Sequence, residues 1–415
     1  MQERSWTKRL GIVVAAGLVA SACSSSATPV PTTGVVPTTG ATTGTTTSSA
    51  PANPVTLNIL DVAGNLQLTK GMIENFKTAH PEIVNNITYS TAPAPELAGK
   101  LQAQQQGGNV QINLVLTGTD GLAAGIKNDL LTKVIPDHQD AFPNLMTNYL
   151  DAAAAMQGLA QGFGVALVYY PSGPLIEYNP AKVTTPPTTP QELLAWAKAH
   201  PGKFEYARPA NSGPGRTFLM GLPYLLGDKD PSDPVNGWAK TWAYLKDLGQ
   251  YVNNYPTGTG QVISNMADGT WAMIPTTTGW DINPRALGTE PKTIAAAPFD
   301  NFTWVTDAHY AVVPKGQSAD KMSAILNLLQ YVLTPEVNAM AYDTGYFYPG
   351  PSIKGATLDK APQASQDTIK EFGRDWYDAL IDKAPKATPL TPANLVKAFD
   401  RWDREVGSGK YKEKK

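Results

Sequence analysis

The sequence has one cysteine, Cys23, and four histidines, His80, His138, His200 and His309, that lie far apart. A lone cysteine excludes an intramolecular disulfide and a cysteine-based zinc site. None of the histidines forms a helical metal pair, so no metal centre and no cofactor is expected. Charge is also scarce, at 16% of 415 residues against 42% hydrophobic. The signs nearly cancel, with 33 Lys and Arg against 35 Asp and Glu, a net charge of −2. A nucleic-acid partner would call for a basic excess, so that class is disfavoured. There is no G-x-S-x-G elbow, no H-E-x-x-H and no Walker-type loop. An enzyme is therefore not expected, and the one catalytic class left open is a glycosidase working through paired carboxylates. A structural adhesin, with no affinity for small molecules, is a third class.

The N-terminus reads as an address. Arg4, Lys8 and Arg9 form a basic region, and Leu10 to Ala20 is an apolar run of eleven residues. That length suits a signal-peptide core and falls short of a bilayer core of about 30 Å. The run ends in Ala20-Ser21-Ala22-Cys23. This resembles a bacterial lipobox, in which the cysteine is lipidated and becomes the new N-terminus. Ala20 stands where such a box usually has a large aliphatic residue. Residues 1–22 are expected to be a lipoprotein signal peptide, with Cys23 the lipidation site; a plain secretory signal cleaved near Ala22 is the alternative. Residues 24–54 contain no charge and no aromatic ring. Such a stretch has too little apolar surface to offset the entropy of ordering, and 23–54 reads as a flexible tether. Anchor and tether together imply a folded body held at the extracytoplasmic face of the cell membrane.

At roughly 100–200 residues per domain, the length predicts two or three domains. From Val55 onward strands and helices alternate. Val55–Leu60, Ile87–Ser90 and Ile112–Leu116 read as strands. Leu66–Ala79 and Pro95–Gln106 read as helices, and another opens at Asp120. This alternation predicts an α/β fold whose mainly parallel sheet has helices on both faces. Ligands in such sheets bind beyond the carboxyl ends of the strands. Those ends carry Asp61 and Asn65 after the first strand, and Thr119 and Asp120 after the third. Gly164–Tyr170 is a further strand. After Pro171 a Pro-rich stretch and a helix over 191–199 suggest a second sheet.

The order of these stretches resembles the extracellular solute-binding proteins of ABC importers in their two-lobed type II form. The matching stretches are "ENFKTAHPEI", "INLVLTGTDGL", "EYNPAKVTTPPTTPQELLAWAKAHPGKFEYARP", "MADGTWAMI" and "HYAVVPKGQSADKMSAILNLLQYVLTPEVNAMAY". The portion "AHPGKFEYARP…GRTFL" looks most like the polyamine-type branch. The resemblance implies two α/β lobes joined by hinge crossovers. One lobe would hold 55–164 plus 310–333, and the other 165–309 plus 334–415 with the C-terminal helices. It implies a monomeric receptor that gives a small solute to the permease subunits of an ABC importer. A polyamine-like or other small organic cation is the leading solute; a sugar or oligosaccharide is the alternative.

Several further residues could line a cleft. Thr276–Asp281 follows a strand end and offers Thr277, Trp280 and Asp281: a hydroxyl, a ring that stacks on sugars or cations, and a carboxylate. The competing reading packs the ring against its own lobe. Trp304, Asp307 and His309 lie at the second crossover, where Asp307 either faces ligand or caps a turn. Tyr346 is either a cleft wall or packing beneath the C-terminal helices. Ser212–Thr217, with Ser212 and Arg216, is either an anion cradle opening a helix or a plain helix cap. Tyr169 and Tyr170 raise ferric iron as a ligand, but neighbours in a strand point to opposite faces, which disfavours it.

Overall fold

The computed structural model describes residues 48–62, 64–92 and 94–410. The expected signal peptide, Cys23 and the tether as far as residue 47 lie outside the described residues. Alternating apolar residues make Val55–Asp61 strand β1, and the buried stripe Leu68, Met72, Ile73 and Phe76 makes Leu66–Ala79 helix α1. Strand β2 (Val84–Thr91), helix α2 (Ala94–Gln106), strand β3 (Leu114–Thr117) and helix α3 (Thr119–Lys127) repeat the unit. Strand β1 pairs parallel with both β2 and β3. Helix α4 (Asp151–Leu159) leads into β4 (Gly164–Gly173), buried along its whole length.

At Pro174 the chain leaves this sheet. Strand β5 (Leu175–Tyr178) opens a second one, followed by helices α5 (Pro190–Ala199), α6 (Gly213–Leu226), α7 (Ala239–Leu248) and α8 (Thr259–Ala267). Strand β6 (Met273–Thr276), helix α9 (Thr278–Ala286) and strand β7 (Ala295–Ala297) complete the small sheet, in the order β6-β5-β7. Strand β8 (Trp304–Val312) returns to the large sheet between β3 and β4. Helix α10 (Ala319–Val332), strand β9 (Gly350–Pro351), helices α11 (Gln363–Phe372) and α12 (Tyr377–Lys383), strand β10 (Lys386–Ala387) and helix α13 (Pro392–Glu405) follow.

The large sheet has the order β2-β1-β3-β8-β4-β9, with β10 beside β8. It is mixed rather than mainly parallel. Strand β8 arrives from the small sheet and so runs opposite to β3 and β4. The small sheet is antiparallel throughout. The α/β class stands, and each sheet has its own core. Leu57, Val115, Val312 and Leu328 pack in the first. Trp238, Trp242, Tyr206 and Trp402 pack in the second, where helix α13 contributes Leu395, Ala398 and Trp402. Burying side chains of this size stabilises by about 1.5–3 kcal/mol each. The end of the expected tether is not free: Ser48 N–H donates to Gln330, Ala52 N–H donates to Asp320, and the Ser49 carbonyl accepts from Ser323, all along α10.

Candidate functional site

The second crossover brings polar groups of both sheets together around Asp307. Strand pairing sets Asp307 of β8 opposite Tyr170 of β4. The Tyr170 hydroxyl donates to Asp307 Oδ2 at 3.2 Å. Thr119, at the start of α3, donates to Oδ1 at 3.4 Å, and the Ala308 N–H donates to the same oxygen at 2.9 Å. From α6, Arg216 Nη2 donates to Oδ2 in an ion pair. The sequence places Arg216 there through a cap: Ser212 Oγ accepts the Gly215 N–H at 3.2 Å and pairs with Thr259 Oγ1 at 2.8 Å. Burial opposes the Arg216 charge, but Asp307, Asp120 and Tyr170 outweigh it and hold the guanidinium firmly protonated. His309, two residues along the same strand face, is pushed down to about 4 by burial, with Asp307 opposing and Arg216 reinforcing. It is neutral at pH 7.

An aromatic wall adjoins this cluster. Phe347 stacks on Tyr170 at 4.1 Å between centroids, Tyr346 stacks on Phe347 at 4.7 Å, and Trp280 meets Tyr346 edge-on at 5.6 Å. Gly279 makes the last contact possible. A Cβ there would stand 1.7 Å from the Tyr346 carbonyl oxygen, so only glycine lets the start of α9 approach this closely. Thr277 is buried and caps α9 by accepting the Trp280 N–H at 3.3 Å. Beyond Tyr346 lies the end of β1. The Asp61 carboxylate accepts the N–H groups of Asn65 at 3.0 Å and Leu66 at 3.3 Å. Asn65 itself is fully buried, with no partner for Nδ2 or Oδ1 among the described residues. Burial, with Asp61 and Asp343 nearby, pushes the Tyr346 hydroxyl up.

The structure thus brings together Thr119, Asp120, Ser212, Arg216 and Asp307, and beside them Trp280, Tyr346, Asp61 and Asn65. Three expected residues lie outside the cluster: Thr277, which caps α9, and the buried Asp281 and Trp304. Asp281 is wholly buried and saturated: it accepts from Arg285 Nη2 at 2.7 Å, from Arg374 Nη2 at 2.6 Å and Nε at 3.0 Å, and from the Tyr377 hydroxyl at 2.6 Å. This carboxylate ties α9 to the C-terminal helices and has no oxygen left for a solute. Trp304 is also fully buried, edge-on to Phe302 and donating its indole N–H to the Leu380 carbonyl. Three residues before Asp307 in one strand, it points to the opposite face. Tyr170 and Phe347 are the partners that sequence reasoning did not assign to this cluster. For Tyr170 the only signal was its strand register against Asp307. Surface grooves at Ile135–Met146, about 290 Å³, and at Thr185–Trp196, about 360 Å³, share no residue with it.

Residues 71–370 match the family model described as bacterial extracellular solute-binding protein. No curated protein matches. Among solved structures, the chain resembles an ABC transporter protein from Clostridium perfringens at 14% identity and a TM-score of 0.62, covering 84% of this chain and 99% of that one. The Atu4243-GABA receptor is similar at 17% identity and TM-score 0.61, covering 87% and 100%. A Listeria monocytogenes ABC transporter described as a spermidine/putrescine one is similar at 14% identity and TM-score 0.56, covering 84% and 99%. At these identities the likeness establishes the fold.

Proposed function

Because the chain belongs to the family of bacterial extracellular solute-binding proteins, which bind small solutes for the permeases of ABC importers and are not enzymes, we propose that its own solute is a small organic cation, polyamine-like or another solute that carries an ammonium group. One observation carries this reading. The cluster between the two sheets holds three carboxylates, Asp61, Asp120 and Asp307, against one guanidinium, Arg216, and a neutral His309. Asp120 is the carboxylate with no hydrogen bond among the described residues, and burying a cation needs such a partner. The wall of Trp280 and Tyr346 adds faces on which a cation rests. Two of the similar structures carry amines in their names, GABA and spermidine/putrescine.

In this reading the lobes are the large sheet and the small sheet with their helices. The chain crosses at Gly173–Leu175, between Ala297 and Trp304, and again between β9 and α13, and the lobes close on the solute. Lipid on Cys23 holds the receptor, a monomer, at the outer face of the membrane. A sugar is the second reading, since Asp307 is already held by Arg216 and could share its hydrogen bonds with hydroxyls.

A thermal-shift panel of polyamines, thiamine-like amines and mono- to trisaccharides decides between them. Solute at one hundred times Kd stabilises by about 2.7 kcal/mol. Amines should shift the protein and Asp120→Asn should remove that shift. A shift with sugars alone would end the cation reading.

A further inference from the structure

This inference rests on the cation reading and extends it to the rest of the solute. The cluster around Arg216 contains hydrogen-bond donors that a simple amine cannot satisfy. The Asp307 carboxylate is saturated by Thr119, Tyr170, Arg216 and the Ala308 N–H. It therefore acts as a positioning residue that fixes the guanidinium. Arg216 has five N–H donors, and among the described residues only the one on Asp307 is used. Its side chain keeps 16% exposure, so the remaining donors are not sealed into the core. Three residues earlier, Gly213 opens α6, and Pro214 after it has no N–H. A Cβ on Gly213 would stand 3.8 Å from Trp280 Nε1, so the indole N–H lies against this helix start. Among the described residues that indole N–H has no acceptor.

A guanidinium, an indole N–H and a first-turn N–H together match a carboxylate; Arg is the side chain suited to binding one in a planar, two-pronged way. A second observation comes from the β1 side. Asn65 is fully buried with both amide atoms unpartnered among the described residues, so it has both a donor and an acceptor to offer. Leaving such atoms unmade is costly. A diamine would place a second positive charge against Arg216 and offer these donors no acceptor.

We propose that the solute is an amino carboxylate, with its carboxylate on Arg216, the Trp280 indole N–H and the Gly213 N–H, and its ammonium group on Asp120. The Ser212–Thr217 segment, an anion cradle or a cap by sequence, then serves as both.

Calorimetric titration of the full chain with glycine, β-alanine, γ-aminobutyrate and ε-aminocaproate, against putrescine, cadaverine and butyrate, tests this. At least one amino carboxylate should bind about a hundredfold more tightly than the diamine and the plain acid of similar length, the loss of a charged hydrogen-bonded group costing that much. Arg216→Gln should abolish binding, but it leaves Asp307 unpaired and endangers the fold. Trp280→Phe keeps the ring and removes one donor; it should weaken the amino carboxylate about tenfold with the melting temperature of the free protein unchanged. If diamines bind as tightly as amino carboxylates, or Trp280→Phe leaves affinity unaltered, this proposal is overturned while the cation reading stands. If neither amines nor amino carboxylates bind, both fall together.

Discussion

Arg216 and Asp307 form an ion pair that joins helix α6, which packs with the small sheet, to strand β8 of the large sheet. Their side chains are 16% and 6% exposed. Removing one partner of a buried pair typically costs about 3–5 kcal/mol, because the other charge stays buried without compensation. Asp307→Ala should therefore lower the unfolding free energy, measured by denaturant titration, by an amount in that range. The double change Asp307→Leu with Arg216→Met should cost clearly less than the two singles added, since it leaves no orphaned charge. A loss below about 1 kcal/mol for Asp307→Ala, the worth of an exposed pair, would show that water screens it.

Much of this arrangement was readable before any coordinates. Helix α1 occupies the predicted span because one face repeats apolar residues and His80 precedes a proline. Asp307 and His309, two residues apart in β8, share one strand face, as period two requires. The same period separates Trp304 from them, a signal that the grouping by sequence proximity overlooked. Asp281 failed for another reason. Its partner Arg285 was visible one helical turn away, but Arg374 and Tyr377 come from over ninety residues further on. No local pattern announces such a contact. The mixed sheet was hidden likewise, because the direction of β8 depends on the chain returning from a second sheet.

The Asp281 network predicts stability without binding. With two guanidiniums and a hydroxyl around it, Asp281→Asn should destabilise by about 3 kcal/mol or more. Solute affinity in the surviving folded protein should stay within about twofold, as expected for a site with no shared partner. A loss of affinity much larger than the loss of stability would return Asp281 to the cleft.

Glu177 of β5 and Glu290 lie together in the small lobe, buried, with no donor to any of their four oxygens among the described residues. A hydrogen bond between two carboxyls exists only if one carries a proton. Burial pushes Glu290 up to about 7, with Asp281 adding to the rise and Glu177, Arg285 and Arg374 opposing. Burial, Glu290 and Asp281 push Glu177 well above its ordinary range. An unfolded glutamate titrates near 4.5. The folded state thus prefers the proton, and this contribution to stability is complete below pH 4.5 and is lost as pH rises through about 7. Glu205 is also pushed up to about 7, chiefly by burial, and adds the same sign elsewhere in the lobe. Glu290→Gln should make the fall in melting temperature between pH 5 and pH 8 shallower without removing it. An unchanged slope would mean that the pair does not share a proton.

Gly279 gives a test of the aromatic wall that leaves every aromatic residue in place. Its missing Cβ admits the Tyr346 carbonyl, and that approach sets Trp280 against the Tyr346 ring. Gly279→Ala forces backbone apart, and overpacking of this kind costs about 1–3 kcal/mol. Trp280 fluorescence should shift to longer wavelength as the ring loses its neighbour, and solute affinity should fall with it. A normal spectrum with normal affinity would place the wall outside the solute's reach.

The final prediction concerns closure. Asn65, Thr119 and Asp307 are each below 5% exposed, so a solute reaches them only if the lobes part. Parting would be carried by the crossings at Gly173–Leu175, between Ala297 and Trp304, and between β9 and α13, because few backbone torsions there must change for two intact cores to rotate. Opening breaks the Arg216–Asp307 pair and admits water; a bound solute restores the closed form by supplying contacts to both walls. Small-angle scattering of the full chain should therefore show a smaller radius of gyration at saturating solute than without it. Asp307→Asn with Arg216→Gln, which removes the charges that hold the empty lobes together, should enlarge the free form further. A radius that is identical for wild type with and without solute, and also for the double variant, would rule out hinge motion as the route into this cleft.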